Sequence, residues 1–484
     1  MDWKKYLDYR DIRLWLAFLF IIRLYAITLP PLEFQHPWRQ TDGLMIARNF
    51  YETLPNIFYP MVDTAGEKSG ITGSEFPILN YLIYLTSLIF GYQHWYGRLI
   101  VLIVSTLGSF YFYKSIRKYF DEYVAFSATI ILTSSYWFSY SRKIFPDCFA
   151  LSLCLIALYF ILEYLEKGKI WHLIIYLLLG SLGGLSKISA ALLLSVLAIP
   201  LLSQKYPPYR KVWMLVASGA ILVTIAGWYF VWVPYLNETY GYGDHFLMGY
   251  PLSQGWSAIQ GAWPQVLRRL FIIPTKYLGF IVFSGSLIYV LYKRNWLVFF
   301  LFIIPYAFFL LIIIKTGTSI IADQYYVLSS IPAIGFVSGY GLSHLPKKIM
   351  FILVAAVAVE NIGSQINDFK FHKINMAFEN LETIVDSVSA RHDLFVINSG
   401  EHCPTVMYFA HRKGWTVSLR QLQEPGFLEG VKQKGGKFVL VCKKMYGEDY
   451  DITLDLPQIF ESESFRIYKL ELLNQGRPEH EAGQ

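Results

Sequence analysis

HPWRQTDGLMIARNFYETLPNIFYPMVDTAGEKSGITGSEFPILN, residues His36 to Asn80, is a polar and aromatic island between long apolar runs. It holds Asp42 within Trp38-Arg39-Gln40-Thr41-Asp42 and Glu75 two residues before Pro77. Between them the spacing predicts a short amphipathic helix starting near Asp42, with Ile46, Phe50 and Leu54 on one face and Arg48 and Glu52 on the other. Two acids and two arginines beside apolar sequence suggest chemistry. For any one of them, a solvated loop with incidental charges is the plainer reading.

The sequence around the island is too apolar for a soluble protein. Of 484 residues, 55% are hydrophobic and only 16% charged, with mean hydropathy +0.39, which points to a polytopic membrane protein. The net charge of +7 comes from small Lys/Arg clusters between apolar runs rather than from one long basic face. It therefore reads as membrane topology and not as a nucleic-acid partner. Cys148, Cys154, Cys403 and Cys442 show neither CxxC spacing nor neighbouring His, which argues against a structural zinc site and leaves room only for a Cys403–Cys442 bridge.

The first apolar run, 14–29, follows Lys4, Lys5, Arg10 and Arg13 without a small-residue cleavage site, so it reads as a retained anchor with a cytoplasmic N-terminus. Ten more runs follow: 99–113, 124–140, 149–165, 172–185, 188–202, 212–233, 271–292, 297–314, 325–342 and 349–359. If these cross in alternation, about eleven transmembrane helices result. The basic connectors at Lys114/Arg117/Lys118, Lys167/Lys169, Lys205/Arg210/Lys211, Lys293/Arg294 and Lys347/Lys348 then all share the side of the N-terminus, as the positive-inside rule requires.

The run Phe76 to Gly91 is shorter than the roughly 20 residues a spanning helix needs, and counting it as a crossing would invert every later connector. It is therefore expected outside, lying along the membrane, and the first external loop extends over 31–97 within a membrane domain of 1–362. After the last run the composition changes. Leu394–Asn398, Thr416–Leu419, Phe438–Cys442 and Phe465–Leu470 read as strands, with a helical Thr405–His411 between them, giving a small extracytoplasmic α/β domain over 363–473. The polar tail, 474–484, reads as disordered. There is no Walker motif, GxGxxG or GxSxG, which argues against ATP-driven transport and serine hydrolysis.

These features resemble the GT-C fold: polytopic transferases that use polyprenyl-phosphate-linked sugars, in the superfamily of the protein O-mannosyltransferases and the lipid A aminoarabinose transferases. The resemblance covers roughly the first 350 residues. It rests on Asp42 in the first external loop, Glu75-Phe76-Pro77 as a Glu-x-Pro element, Asp147 beside Pro146 at the outer start of the fourth span, Lys187 in the fifth-to-sixth turn and His245 in the long loop Pro234 to Arg269. The chain departs from the pattern where Asp42 is followed by Gly43 and Met45 instead of an acid and an arginine, so Arg39 or Arg48 would have to stand in. Phe76 replaces a lysine often found after the glutamate.

The resemblance implies a membrane glycosyltransferase of the bacterial inner membrane that moves a sugar from a polyprenyl-phosphate donor to an extracytoplasmic cell-envelope glycan, lipid or protein by inversion. Asp42 would be the base that takes the acceptor's proton; a helix cap is its plainer role. Lys187 would meet the donor phosphate, with Arg39 and Arg48, and more distantly Arg142 and Lys143, as further cations. Asp147 would orient sugar or acceptor, or simply pair with Arg142 or Lys143. Glu75 and His245 would contact the acceptor or share a zinc or manganese ion. Arg23, inside the first run, pairs with a buried acid or snorkels. The competing readings are a flippase or transporter for lipid-linked saccharides, with pseudo-symmetric halves and broken midplane helices, and an O-antigen ligase or polymerase.

Overall fold

A computed structural model of the protein describes residues 11–243, 249–371, 375–400, 403–445 and 448–470. The chain divides into two compact units, Met1–Pro60 with Ile71–Lys370 and Met61–Gly70 with Phe371–Gln484.

The first unit is helical. Its helix α1 (Ile12–Arg23) starts on Asp11, whose carboxylate accepts from the Arg13 amide at 2.9 Å, satisfying one of the donors a helix start leaves free. Next come α2 (Pro37–Glu52), α3 (Ile78–Phe90), α4 (Tyr96–Arg117), α5 (Glu122–Ser134), α6 (Trp137–Tyr140), α7 (Pro146–Lys167), α8 (Ile170–Ser186) and α9 (Ile188–Ala191). A 3₁₀ segment, Leu192–Leu197, leads into α10 (Ala198–Leu202), and α11 (Pro208–Gly227) passes through a π turn at Trp228–Trp232 into α12 (Val233–Tyr240). The unit continues with α13 (Leu252–Gly261), α14 (Trp263–Phe271), α15 (Lys276–Tyr292), α16 (Trp296–Thr316), α17 (Ser319–Ala322), a 3₁₀ turn at Gln324–Ser330, α18 (Ile331–Ser343) and α19 (Lys347–Ser364).

Each of the eleven apolar runs carries helix. By length and composition, the helices at 96–117, 146–167, 208–240 and 296–316 suffice to cross a membrane, and the α14–α15 pair, bent by 81°, would make a fifth. Several serines and threonines of the bundle interior satisfy their hydroxyls within their own helix: Ser109, Thr129 and Thr133 donate to carbonyls one turn back, at Ser105, Ala125 and Thr129, as a waterless environment favours. Side chains such as Phe18 and Ile21 on α1, Leu222 and Val223 on α11, and Ile281 and Ile288 on α15 stay exposed, where only lipid would make them comfortable. Small residues let the helices close up. A Cβ at Gly339 of α18 would sit 2.5 Å from the Ala128 amide nitrogen of α5, the close backbone approach expected where packing rather than the hydrophobic effect joins helices.

Two expectations in the polar island change. Helix α2 begins at Pro37, not near Asp42, because proline fits the first helical position and Trp38 to Thr41 carry the helix on. Asp42 therefore lies in the second turn instead of at a cap. The same helix ends at Glu52, leaving Leu54 beyond it. Within 76–91, Ile78–Phe90 is helical as α3, with Leu88, Ile89 and Phe90 exposed at its end.

The second unit holds a five-stranded sheet in the order β2-β1-β3-β7-β6, built from β1 (Leu394–Ile397), β2 (Lys413–Thr416), β3 (Gly436–Cys442), β6 (Gln458–Glu461) and β7 (Phe465–Lys469), and a separate two-stranded sheet of β4 (Lys444–Met445) and β5 (Glu448–Asp449). The β2-β1-β3 part is parallel, whereas β7 runs antiparallel to both β3 and β6. Val396, Val439, Val441 and Tyr468 form its core. The expected strand at Thr416–Leu419 moves upstream to β2, because Ser418 caps a helical turn at Leu419–Leu422. None of the four cysteines is disulfide-bonded.

The segment Met61–Gly70, which lies within the loop 31–97 in sequence, completes this sheet. The Gly66 amide donates to the Gly414 carbonyl at 2.7 Å and the Gly414 amide to the Asp63 carbonyl at 2.9 Å, so the loop covers the otherwise bare edge of β2.

Candidate active site

Glu75 lies on an extended segment whose backbone is tied down at each residue. Thr72 Oγ1 donates to the Tyr242 carbonyl at 3.1 Å and the Gly73 amide to Asn237 Oδ1 at 2.7 Å. The Ser74 carbonyl accepts from Trp228 Nε1 at 2.9 Å, and the Phe76 amide donates to the Leu185 carbonyl at 3.0 Å. The Phe76 ring stands edge-on to Trp228, centroids 4.9 Å apart. The π turn supplies the aromatic neighbours: its extra residue turns Trp228 and Tyr229 inward, and Tyr229 Oη donates to the Leu185 carbonyl at 2.9 Å.

Two cations converge on the carboxylate held there. Arg39 Nη2 lies 2.6 Å and Lys187 Nζ 3.0 Å from Glu75 Oε1. Lys187 is presented by the break between α8 and α9, where its own backbone is extended, with φ −158° and ψ 113°. From there it also reaches Asp147 Oδ1 at 4.0 Å, while Arg39 Nη1 lies 3.4 Å from Asp42 Oδ2. A chain Asp42, Arg39, Glu75, Lys187, Asp147 results, with alternating charge and every member at least four-fifths buried. A small cavity opens beside it, lined by Arg39, Asp42, Ser74, Glu75, Asn80 and Ser186 among others.

Burial alone would raise the Glu75 carboxyl, but the charges and hydrogen bonds of Arg39 and Lys187 outweigh it and hold the group well below the usual carboxylate range. Burial would likewise lower Arg39, and Glu75 and Asp42 reverse that, so its guanidinium is raised. Asp147 has a spare acceptor: its Oδ2 is buried and has no hydrogen-bond partner. It sits in the first turn of α7, behind Pro146, where the free end of the helix favours negative charge.

The structure thus brings together Asp42, Arg39, Glu75, Asp147 and Lys187. Asp147 pairs with Lys187, not with Arg142 or Lys143, which point elsewhere: Arg142 stacks 4.7 Å from the Phe369 ring and Lys143 Nζ donates to the Gln35 carbonyl at 3.1 Å. Arg48 is buried on α2 but nine residues beyond Arg39, about 13 Å along the helix axis, and so does not join it. His245 lies outside the described residues. Among the described residues Arg23 meets no acid; buried, it does not snorkel but donates to the Ser141 hydroxyl and to the Leu19 carbonyl. Glu75 Oε1 is taken by two cations, and among the described residues, which do not include His245, no three His, Cys, Asp or Glu are grouped to hold a metal ion.

Sequence reading missed Asp323, Tyr325 and Tyr326. The rings of Tyr325 and Tyr326 lie 5.8 and 5.7 Å from Lys187 Nζ. Tyr325 also stands edge-on to His36 at 5.4 Å, and His36 Nδ1 is 3.9 Å from Asp323 Oδ1. The Tyr-Tyr pair after an external acid was a signal available in the sequence.

The chain superposes on a solved structure, ArnT from Cupriavidus metallidurans bound to undecaprenyl phosphate, with TM-score 0.61 at 12% identity, covering 94% of this chain and 98% of that one. The chain has the GT-C fold. ArnT in the apo state matches with TM-score 0.55 at 11% identity over 95% and 99% of the two chains. A third GT-C structure, the Archaeoglobus fulgidus oligosaccharyltransferase in the apo form, matches with TM-score 0.51 at 15% identity over 88% of this chain and 69% of that chain. Residues 74–232, which carry Glu75, Asp147 and Lys187 within the GT-C unit, match the family described as dolichyl-phosphate-mannose-protein mannosyltransferase. No curated protein sequence matches at a significant level.

Proposed function

We propose that this protein is a multi-pass membrane glycosyltransferase that moves a sugar from a polyprenyl-phosphate donor to an acceptor hydroxyl outside the cytoplasm, with inversion. The observation that carries the reading is the buried chain from Asp42 through Arg39, Glu75 and Lys187 to Asp147, set in the fold of a protein solved with undecaprenyl phosphate. Buried ion pairs are weak evidence for stability but strong candidates for function within a membrane protein.

In the proposed step the acceptor oxygen attacks the anomeric carbon as the bond from that carbon to the phosphate oxygen breaks. The acceptor's proton passes to Asp42, and the electron pair leaves with the polyprenyl phosphate. Asp42 is the better base of the two acids beside Arg39, because its contact at 3.4 Å is the looser one while Glu75 is committed at 2.6 and 3.0 Å. Arg39 and Lys187, already desolvated and fixed by Glu75, stand ready for the charge gathering on the leaving phosphate. Asp147, through its unpartnered Oδ2, accepts a hydroxyl of sugar or acceptor. No step runs through a zinc or manganese ion at Glu75 and His245.

The positive-inside pattern places the N-terminus in the cytoplasm. Because Met61–Gly70 of the first external loop is part of the C-terminal unit, that unit shares the loop's side. The deciding experiment is transfer by the purified protein from a panel of undecaprenyl-phosphate sugars to a cell-envelope extract, read by product mass. Movement of lipid-linked sugar across liposomes with no sugar cleaved would replace the transferase by a flippase.

A further inference from the structure

A cavity of about 320 Å³ opens between α4, α7, the 188–202 segment, α16 and α18. Its size is that of ligand sites, roughly 300–1,000 Å³. The wall is irregular because Leu192–Leu197 is 3₁₀ rather than α and Pro305, inside α16, lines the space and removes a helix hydrogen bond there. Its lining is almost wholly apolar, and polar groups gather at one edge. There Tyr119 and Tyr206 join hydroxyls at 3.0 Å, and Lys205 Nζ stands 5.1 and 5.5 Å from their rings.

The edge carries excess positive charge. Lys118, Lys167 and Lys205 share Glu163 and Glu166, and Arg210 and Lys211 reach the Glu166 and Ser203 carbonyls. Lys118 is held by both glutamates, and Lys211 donates to the Ser203 carbonyl. Lys205 is the loosely engaged cation: its side chain is 59% exposed and lies 3.6 Å from Glu166.

We propose that this cavity binds an anionic phospholipid, with one acyl chain among the apolar side chains and the headgroup phosphate on Lys205. An apolar void beside lipid fills with lipid chains, and a basic rim between membrane helices selects anionic headgroups. A chain seated there braces the irregular segment that begins directly after Lys187. The inference is independent of the transfer reaction.

The test is native mass spectrometry of the full-length protein, exchanged into detergent with equal amounts of dioleoylphosphatidylglycerol and dioleoylphosphatidylcholine. Wild type should retain phosphatidylglycerol preferentially. Val196→Trp, on the cavity wall, should lose both lipids. Lys205→Glu, at the exposed rim and with its thermal midpoint unchanged, should lower the preference at least about fivefold. This variant keeps the proposal testable should Val196→Trp not fold. Equal retention of the two lipids by wild type, an undiminished preference in Lys205→Glu, or displacement of phosphatidylglycerol by an equal amount of undecaprenyl phosphate would overturn it.

Discussion

Lys187 Nζ donates to Glu75 Oε1 at 3.0 Å across 112 residues of chain. With Arg39 on the same oxygen, this makes Glu75 the organiser of the site and leaves the proton chemistry to its neighbours. Two cations fixed by one buried acid need no reorganisation when phosphate charge develops.

Glu75→Gln should take from Arg39 and Lys187 the carboxylate they share and leave each only its looser contact, with Asp42 at 3.4 Å and Asp147 at 4.0 Å. Breaking a buried pair from one side costs about 3–5 kcal/mol, so the thermal midpoint should drop and transfer vanish. Adding Lys187→Met to Glu75→Gln should recover part of the midpoint and none of the transfer. An unchanged midpoint in Glu75→Gln would show that the ion pairs do not hold the site together.

Asp42→Asn keeps size and hydrogen bonding but cannot take a proton. Transfer should fall by roughly 10² to 10⁴ with fold and donor binding retained. Lys187→Met should instead weaken donor binding along with turnover, because its charge meets the phosphate before and during reaction. Normal turnover in Asp42→Asn would move the base elsewhere, with Asp147 next in line.

Chelation addresses the metal reading of Glu75 and His245. Transfer should survive exhaustive treatment with a chelator, since Glu75 is committed to Arg39 and Lys187. Loss of activity restored by zinc or manganese would require those pairs to open in the working enzyme.

Acid sensitivity should trace to His36. Burial, with help from the Lys143 charge, pushes its imidazole from 6.5 down to about 4, so the folded state resists the proton that the unfolded chain accepts. A depressed pKa gives a stability contribution that is complete above 6.5 and is lost as pH falls toward 4. Glu75, held below its ordinary range, does not titrate in the pH 7 to 5 window. The thermal midpoint should therefore decline from pH 7 to 5 in wild type and stay flatter in His36→Asn, which tolerates the left-handed backbone of this position, φ 54°. Parallel slopes for the two proteins would clear His36.

Topology can be read with a cysteine at position 68 and reporter fusions after residues 116 and 430. Positions 68 and 430 should report the same, outer side, because Met61–Gly70 and the C-terminal sheet are one unit. Position 116 should report the inner side. Labelling of 116 from outside would invert the arrangement.

Much of this protein is written locally in its sequence. Apolar runs broken by basic turns determine that the chain is a membrane bundle, and the change of composition after the last run marks a small α/β sheet unit, because length and hydropathy act on neighbouring residues, whereas the start of α2 at Pro37 was not read from them. The likeness of Asp42, Glu75-Phe76-Pro77, Asp147 and Lys187 to a known pattern was also legible. Tertiary structure alone decided who meets whom. Lys187, not Arg142 or Lys143, faces Asp147; Arg48 is left behind on α2; Tyr325 and Tyr326 arrive beside Lys187; and ten residues of the first external loop close the edge of a sheet more than 300 residues away. The physical reason is that an ion pair or a strand edge is satisfied by proximity in space, which sequence separation does not encode, and that a buried charge must find whichever partner the packed helices bring to it.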